Sequence, residues 1–132
     1  MARKKIGIDS LDTEIQKILR EYGDNIKADI DEVGEKCAKK GQTALLNDSP
    51  KDRPEYFSGW RINVTEGRVY SSFEVYNKKA PTLTHLLEFG HDIKVNGVIV
   101  GRTKPIPHII PVENTLEEEF EKGVLNAIQA NN

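Results

Sequence analysis

The chain has 132 residues, 37% hydrophobic and 30% charged, with a net charge of −2. That suits one domain with a real but modest core, and it argues against a generic polyanion binder. No apolar run approaches the ~20 residues that a membrane-spanning helix needs, so no membrane partner is expected. The charges are uneven: residues 51–112 carry nine basic and six acidic side chains, and residues 113–132 one basic and five acidic. The single cysteine, Cys37, rules out an internal disulfide and fits a reducing compartment. Met1-Ala-Arg-Lys-Lys5 is basic, but no apolar stretch follows it, so no secretory leader is read there.

From Ser10 to about Leu46 the apolar residues Leu11, Ile15, Ile18, Leu19, Tyr22, Ile26, Ile30, Val33, Cys37, Ala38, Ala44 and Leu45 recur at steps of three and four. This predicts one long amphipathic helix. Asp9 or Ser10 can cap it, with Asp12 and Glu14 in its first turn. As a straight rod it would run ~55 Å at 1.5 Å per residue, so it either bends, at Gly23 or Gly34, or projects onto a neighbour. Cys37 falls on its apolar face and reads as a small core residue.

Residues 47–58 hold two prolines and no periodicity, which predicts a loop. Two alternating runs follow, Trp60/Ile62/Val64 and Val69/Ser71/Phe73/Val75, with Glu66-Gly67 between them as a tight turn. Pro81-Thr82 opens a short helix from Leu83 to Phe89, with Gly90 as its left-handed stop. Ile93-Lys-Val95 and Val98-Ile-Val100 flank Asn96-Gly97, a strong hairpin signal. Pro105, Pro107 and Pro111 stiffen the path into a final helix, about Glu113 to Ala130, whose apolar face is Leu116, Phe120, Val124 (or Gly123), Leu125 and Ile128. The expected fold is therefore α+β over residues 1–132: a long N-terminal helix, a small antiparallel sheet of hairpins, a short middle helix, and a C-terminal helix packed on the sheet.

Chemistry-bearing patterns are few. His85, Glu88 and His91 form His-x-x-Glu-x-x-His, and the first two share a helix face. Gly90 intervenes before His91, however, and zinc wants three or four convergent ligands. No metal, cofactor or catalytic residue is expected. The glutamates at 117, 118, 119 and 121 fan around a helix and read as a solvated face. Arg61, Arg68, Lys78, Lys79, Lys94, Arg102 and Lys104, with Trp60, Tyr70 and Tyr76 among them, suggest a basic stacking sheet for nucleic acid. That makes a small nucleic-acid-binding accessory protein the alternative reading, although the acidic C-terminal segment opposes it.

Thr84-His-Leu-Leu-Glu-Phe-Gly-His91, then Pro107-His-Ile-Ile-Pro-Val112 and an acidic helix, resembles the Leu/Val-Glu-Phe-Gly … Pro-Phe/His-Leu/Ile-x-Pro signature of the tail-component, or head–tail joining, family of long-tailed bacteriophages. His91 stands where that family often has Thr, and His108 where Phe is common. The resemblance implies a non-enzymatic protein of the phage neck, or a tail-completion factor. It would act in the virion as a ring of identical copies after assembly in the host bacterial cytoplasm. Its expected neighbours are head-connector and tail-tube or tail-terminator proteins, with non-specific contact to phage DNA. Leu86, Glu88, Phe89, Gly90, Pro107, His108, Ile109 and Pro111 form the structural signature, and Leu86, Phe89, Ile109 and Ile110 are expected as its packing anchors. Phe89→Ala would then cost ~3–5 kcal/mol, as for a buried aromatic. The segment carrying His91, Lys94, Asn96, Gly97, Arg102 and Lys104 is the expected partner-contact loop.

Overall fold

The computed structural model describes residues 3–6, 13–22, 24–67 and 71–131. The elements run β1 (Arg3–Ile6), α1 (Thr13–Tyr22), α2 (Asp24–Asp48), α3 (Pro54–Phe57), β2 (Trp60–Thr65), β3 (Ser72–Asn77), α4 (Pro81–Phe89), β4 (Asp92–Val95), β5 (Val98–Arg102) and α5 (Ile109–Ala130). The fold is α+β. The predicted long N-terminal helix is present, described as α1 up to Tyr22 and α2 from Asp24. Gly23 and the proposed caps Asp9 and Ser10 lie outside the described residues. Gly34 does not break α2.

Gly34 instead lets α2 approach the sheet. A Cβ built there would lie 2.5 Å from Cε2 of Phe73 on β3, so the bare backbone makes room for the aromatic ring. The apolar stripe of α2 buries Ile26, Ile30, Cys37, Ala38 and Leu45. Against it α5 lays Ile109, Val112, Leu116, Phe120, Val124 and Ile128, all buried, and Lys40 of α2 pairs with Glu119 of α5 across the seam. Leu125, expected on that face, is exposed. Burial, assisted by the Glu119 charge and opposed by Lys40, pushes the Cys37 thiol upward, which keeps it protonated and inert.

The main sheet has three antiparallel strands in the order β1-β3-β2. Arg3–Ile6 carry no strand signal in the sequence. Their backbone pairs with β3 from Arg3↔Tyr76 to Ile6↔Phe73. Because β3 is central, Glu74 is buried along with Phe73 and Val75, so the strand loses the clean in–out alternation of a half-exposed one. β2 pairs with β3 from Trp60↔Asn77 to Thr65↔Ser72. That register leaves residues 66–71 between the strands, so the connection is longer than the expected tight turn at Glu66-Gly67.

The second sheet is the β4–β5 hairpin alone, turned at Asn96 (φ 51°) and Gly97 (φ 80°). Positive φ at both central residues is what a two-residue turn matching the strand twist requires. α5 starts at Ile109 rather than Glu113, and the reason lies in the site described next.

Gly34→Val should destabilise the domain by about 1–3 kcal/mol through overpacking against Phe73. In Gly34→Val/Phe73→Leu, the smaller partner should restore part of that loss in urea unfolding. Equal midpoints for parent and Gly34→Val would remove this account of how α2 meets the sheet.

Candidate functional site: a pinned helix start and an exposed hairpin

An α-helix begins with four backbone N–H groups that have no partner inside the helix. For α5 these belong to His108, Ile109, Ile110 and Pro111. Proline has no N–H, so one donor never exists. The other three reach a single carboxylate. Glu88 Oε1 accepts from His108 N–H (2.8 Å) and Ile109 N–H (2.8 Å), and Oε2 accepts from Ile110 N–H (3.0 Å). Glu88 sits near the end of α4, only 3% exposed. One helix thus caps another through a side chain placed twenty residues earlier, and every donor at the α5 start is accounted for. The negative charge also meets the positive end of the helix dipole.

Burial alone would raise the Glu88 carboxyl pKa. The three backbone donors and His108 outweigh it and hold the group below its ordinary value. His108 extends the network. Its Nδ1 lies 2.7 Å from the Ile106 carbonyl and 3.1 Å from Glu88 Oε1. Both are acceptors, so Nδ1 carries the proton. In the neutral ring Nε2 therefore accepts from the Tyr56 hydroxyl at 2.5 Å. Burial, with the Glu88 charge adding to it, pushes the Tyr56 phenol well above its usual range, so it stays a donor.

Tyr56 and His108 meet edge to face (5.6 Å), as do Tyr56 and Trp60 (5.7 Å). Trp60 Nε1–H donates to Ser49 Oγ (2.8 Å), whose hydroxyl donates to the Leu45 carbonyl at the end of α2. Asn77 Nδ2 donates to the Tyr56 carbonyl, and its Oδ1 accepts from Ala80 N–H just before α4. Glutamate, histidine and tyrosine in series have the form of a catalytic relay. Yet Tyr56 is 1% exposed and His108 3%, so a substrate would have to open the core to reach them. The arrangement is a pin joining the ends of α2, α3 and α4 to the start of α5.

Three of the four expected packing anchors meet a different fate. Ile109 is buried, but Leu86, Phe89 and Ile110 are exposed, Phe89 by 41%. The buried face of α4 carries Thr84 and Glu88 instead. Since Glu88 must point at α5, its neighbours Leu86 and Phe89 are turned outward. The Phe89 ring lies tilted against that of His85 (centroids 5.0 Å apart, planes at 51°). His85 and His91 stay at the surface, and among the described residues no three His, Cys, Asp or Glu side chains gather as a metal site. The basic sheet also loses its main stacking residue, because Trp60 is buried. Arg68 and Tyr70 lie outside the described residues.

Gly90 closes α4 at φ 74°, ψ 171°. This is not the left-handed helical stop expected, but an extended conformation of positive φ open almost only to glycine. A Cβ there would also lie 2.6 Å from the Thr103 carbonyl, so the outgoing and returning chains cross at this point. Thr103 N–H donates to the His91 carbonyl (2.8 Å), His91 N–H donates to Thr103 Oγ1 (2.8 Å), and Arg102 reaches the Phe89 carbonyl (3.0 Å) and Asp92 (3.2 Å). Ile106 N–H returns to the Leu87 carbonyl (2.8 Å), and Pro107 leads into His108. Arg102 and His91 therefore fasten the hairpin root, while Lys94 and Lys104 are exposed.

Beyond the root, every residue from His91 to Arg102 is exposed on both faces of β4–β5. Ile93, Val95, Val98, Ile99 and Val100 are among them, Val98 and Val100 by 62%. A lone two-stranded hairpin is marginal in water, and this one leaves its aliphatic side chains exposed within the described chain, which makes it the candidate contact surface. Searches of protein-family models, of curated proteins and of solved structures found no match for the chain.

Glu88→Ala should cost at least about 3 kcal/mol, because leaving a buried donor unmet costs roughly 1–3 kcal/mol. Glu88→Gln should also destabilise, since its NH2 group faces donors. The pKa of Glu88 is lowered on folding, so its contribution is complete above the ordinary value of 4.5 and fades as pH falls through the folded value. The stability gap between parent and Glu88→Gln should therefore narrow below about pH 4.5; a gap independent of pH would exclude the carboxylate pin. Phe89→Ala, contrary to the expectation from sequence, should cost under about 1 kcal/mol by thermal unfolding.

Proposed function

We propose that this chain is a structural assembly protein of a long-tailed bacteriophage, forming a ring at the neck that joins head to tail or completes the tail. One observation carries the reading. Glu88 from one half of the signature and His108 and Ile109 from the other meet in one buried junction, and the segment between the halves carries an exposed apolar hairpin. The junction supplies rigidity and the hairpin supplies contact, a division suited to subunit recognition. Its neighbours in this reading are further copies of itself, a head-connector protein, and a tail-tube or tail-terminator protein. Lys94 and Lys104 are available for non-specific contact with DNA passing through the ring.

The test shortens the hairpin by joining Asp92 to Arg102 through an Asn-Gly turn, leaving the root bonds of His91 and Thr103 in place. Few core contacts are lost and loop shortening costs little, so circular dichroism should match the parent. In cells infected with phage lacking the gene, this variant should yield filled heads and separate tails that do not join. Normal infectious particles would overturn the reading, and unfilled heads would move the function to DNA packaging.

A further inference from the structure

We infer that the β4–β5 hairpin of one copy seats in the groove between α2 and β2 of a second copy, so that the chain assembles head to tail. The inference rests on the ring reading and deepens it by naming the two surfaces that meet. The groove, of roughly 580 Å³, has an apolar floor of Ile62, Val64, Phe73 and Ala28. Val64 is 50% exposed, although it lies in the core sheet. β2 is an edge of that sheet among the described strands, so its outer backbone can accept an added strand. Asp31, Glu32, Glu35 and Glu66 rim the groove, with Lys39 the one basic side chain among its described lining residues; Asp31 and Glu66 already pair with Lys27, which leaves Glu32 and Glu35 for a partner.

The hairpin is its chemical counterpart. Its apolar residues are aliphatic, as the floor requires, and Lys94, Arg102 and Lys104 outnumber Asp92 in the segment from His91 to Lys104. In the free chain Glu32 pairs with Lys36 and Glu35 with Lys39, both as surface pairs one helical turn apart. Such pairs hold little free energy, so these carboxylates can turn to Lys94 and Lys104 of an arriving hairpin at small cost. Hairpin and groove are different surfaces of one chain, which makes the contact heterologous: it propagates, and it closes into a ring where the rotation allows. This complementarity favours a second copy over an unrelated partner as the occupant.

The experiment uses two full-length variants that keep the parent's melting curve: Val98→Asp/Val100→Asp in the hairpin, and Val64→Asp in the groove. Sedimentation of the parent across concentration should show self-association, weakened in each variant by at least about 30-fold. An equimolar mixture of the two should form a one-to-one dimer that grows no further, because each partner retains one working surface. Lys94→Glu/Lys104→Glu should also lose assembly, and Glu32→Lys/Glu35→Lys in the same chain should recover it. A parent that stays monomeric at millimolar concentration, a mixture that forms no dimer, or variants that assemble like the parent would each overturn the inference. Variants that assemble like the parent but fail to join heads to tails would do so while leaving the neck reading standing, with a different protein as the occupant.

Discussion

The architecture turns on one carboxylate. Three backbone donors at the start of α5 need an acceptor in a place water does not reach, and Glu88 is that acceptor. Because α5 packs along α2, fixing where α5 begins also fixes the register of the largest helical contact in the molecule. His108, brought in as the residue before the helix, carries the constraint onward to Tyr56, and the aromatic contacts carry it to Trp60 at the end of the sheet. Polar satisfaction therefore does here what a larger apolar core would do in a less polar chain. A network with every member paired specifies one arrangement, whereas a half-paired one would be worse than none.

The division between pin and hairpin follows from the same geometry. A helix of nine residues has few faces, and α4 gives its inner one to Thr84 and Glu88. Leu86 and Phe89 are then left outward, next to the root of a hairpin that buries nothing within its own domain. Gly90 and the His91–Thr103 bonds set the direction in which that hairpin leaves. Rigidity at the root lowers the ordering cost of any contact made at the tip.

Periodicity made the helices and the Asn96-Gly97 hairpin legible, because those signals are local. The pin was not legible as a pin. In the sequence Glu88 stands as a possible metal ligand, and both Glu88 and His108 belong to the signature, but nothing in their spacing says that one caps the helix the other begins. Yet a clue existed: Ile109 is preceded by no Ser, Thr, Asp or Asn at the capping position, and Pro111 stands where a first turn tolerates it. A helix starting there without a local cap implies a remote one. The apolar character of Phe89 misled because hydrophobicity says what a residue prefers, and not which side of a short helix a buried carboxylate has already claimed. β1 was invisible for a different reason: four residues of mostly basic sequence join a sheet through backbone bonds to a partner about seventy residues away.

That separation sets an order of events for the growing polypeptide. The first strand leaves the ribosome before any of its partners exists, and at ~5–20 residues per second several seconds pass before β3 follows. The β1–β3 pairing closes a far longer loop than the β2–β3 pairing, and loop closure costs more as the loop lengthens, so β3 is expected to meet β2 before β1. Until then one side of β3 is an open template for any extended segment within reach.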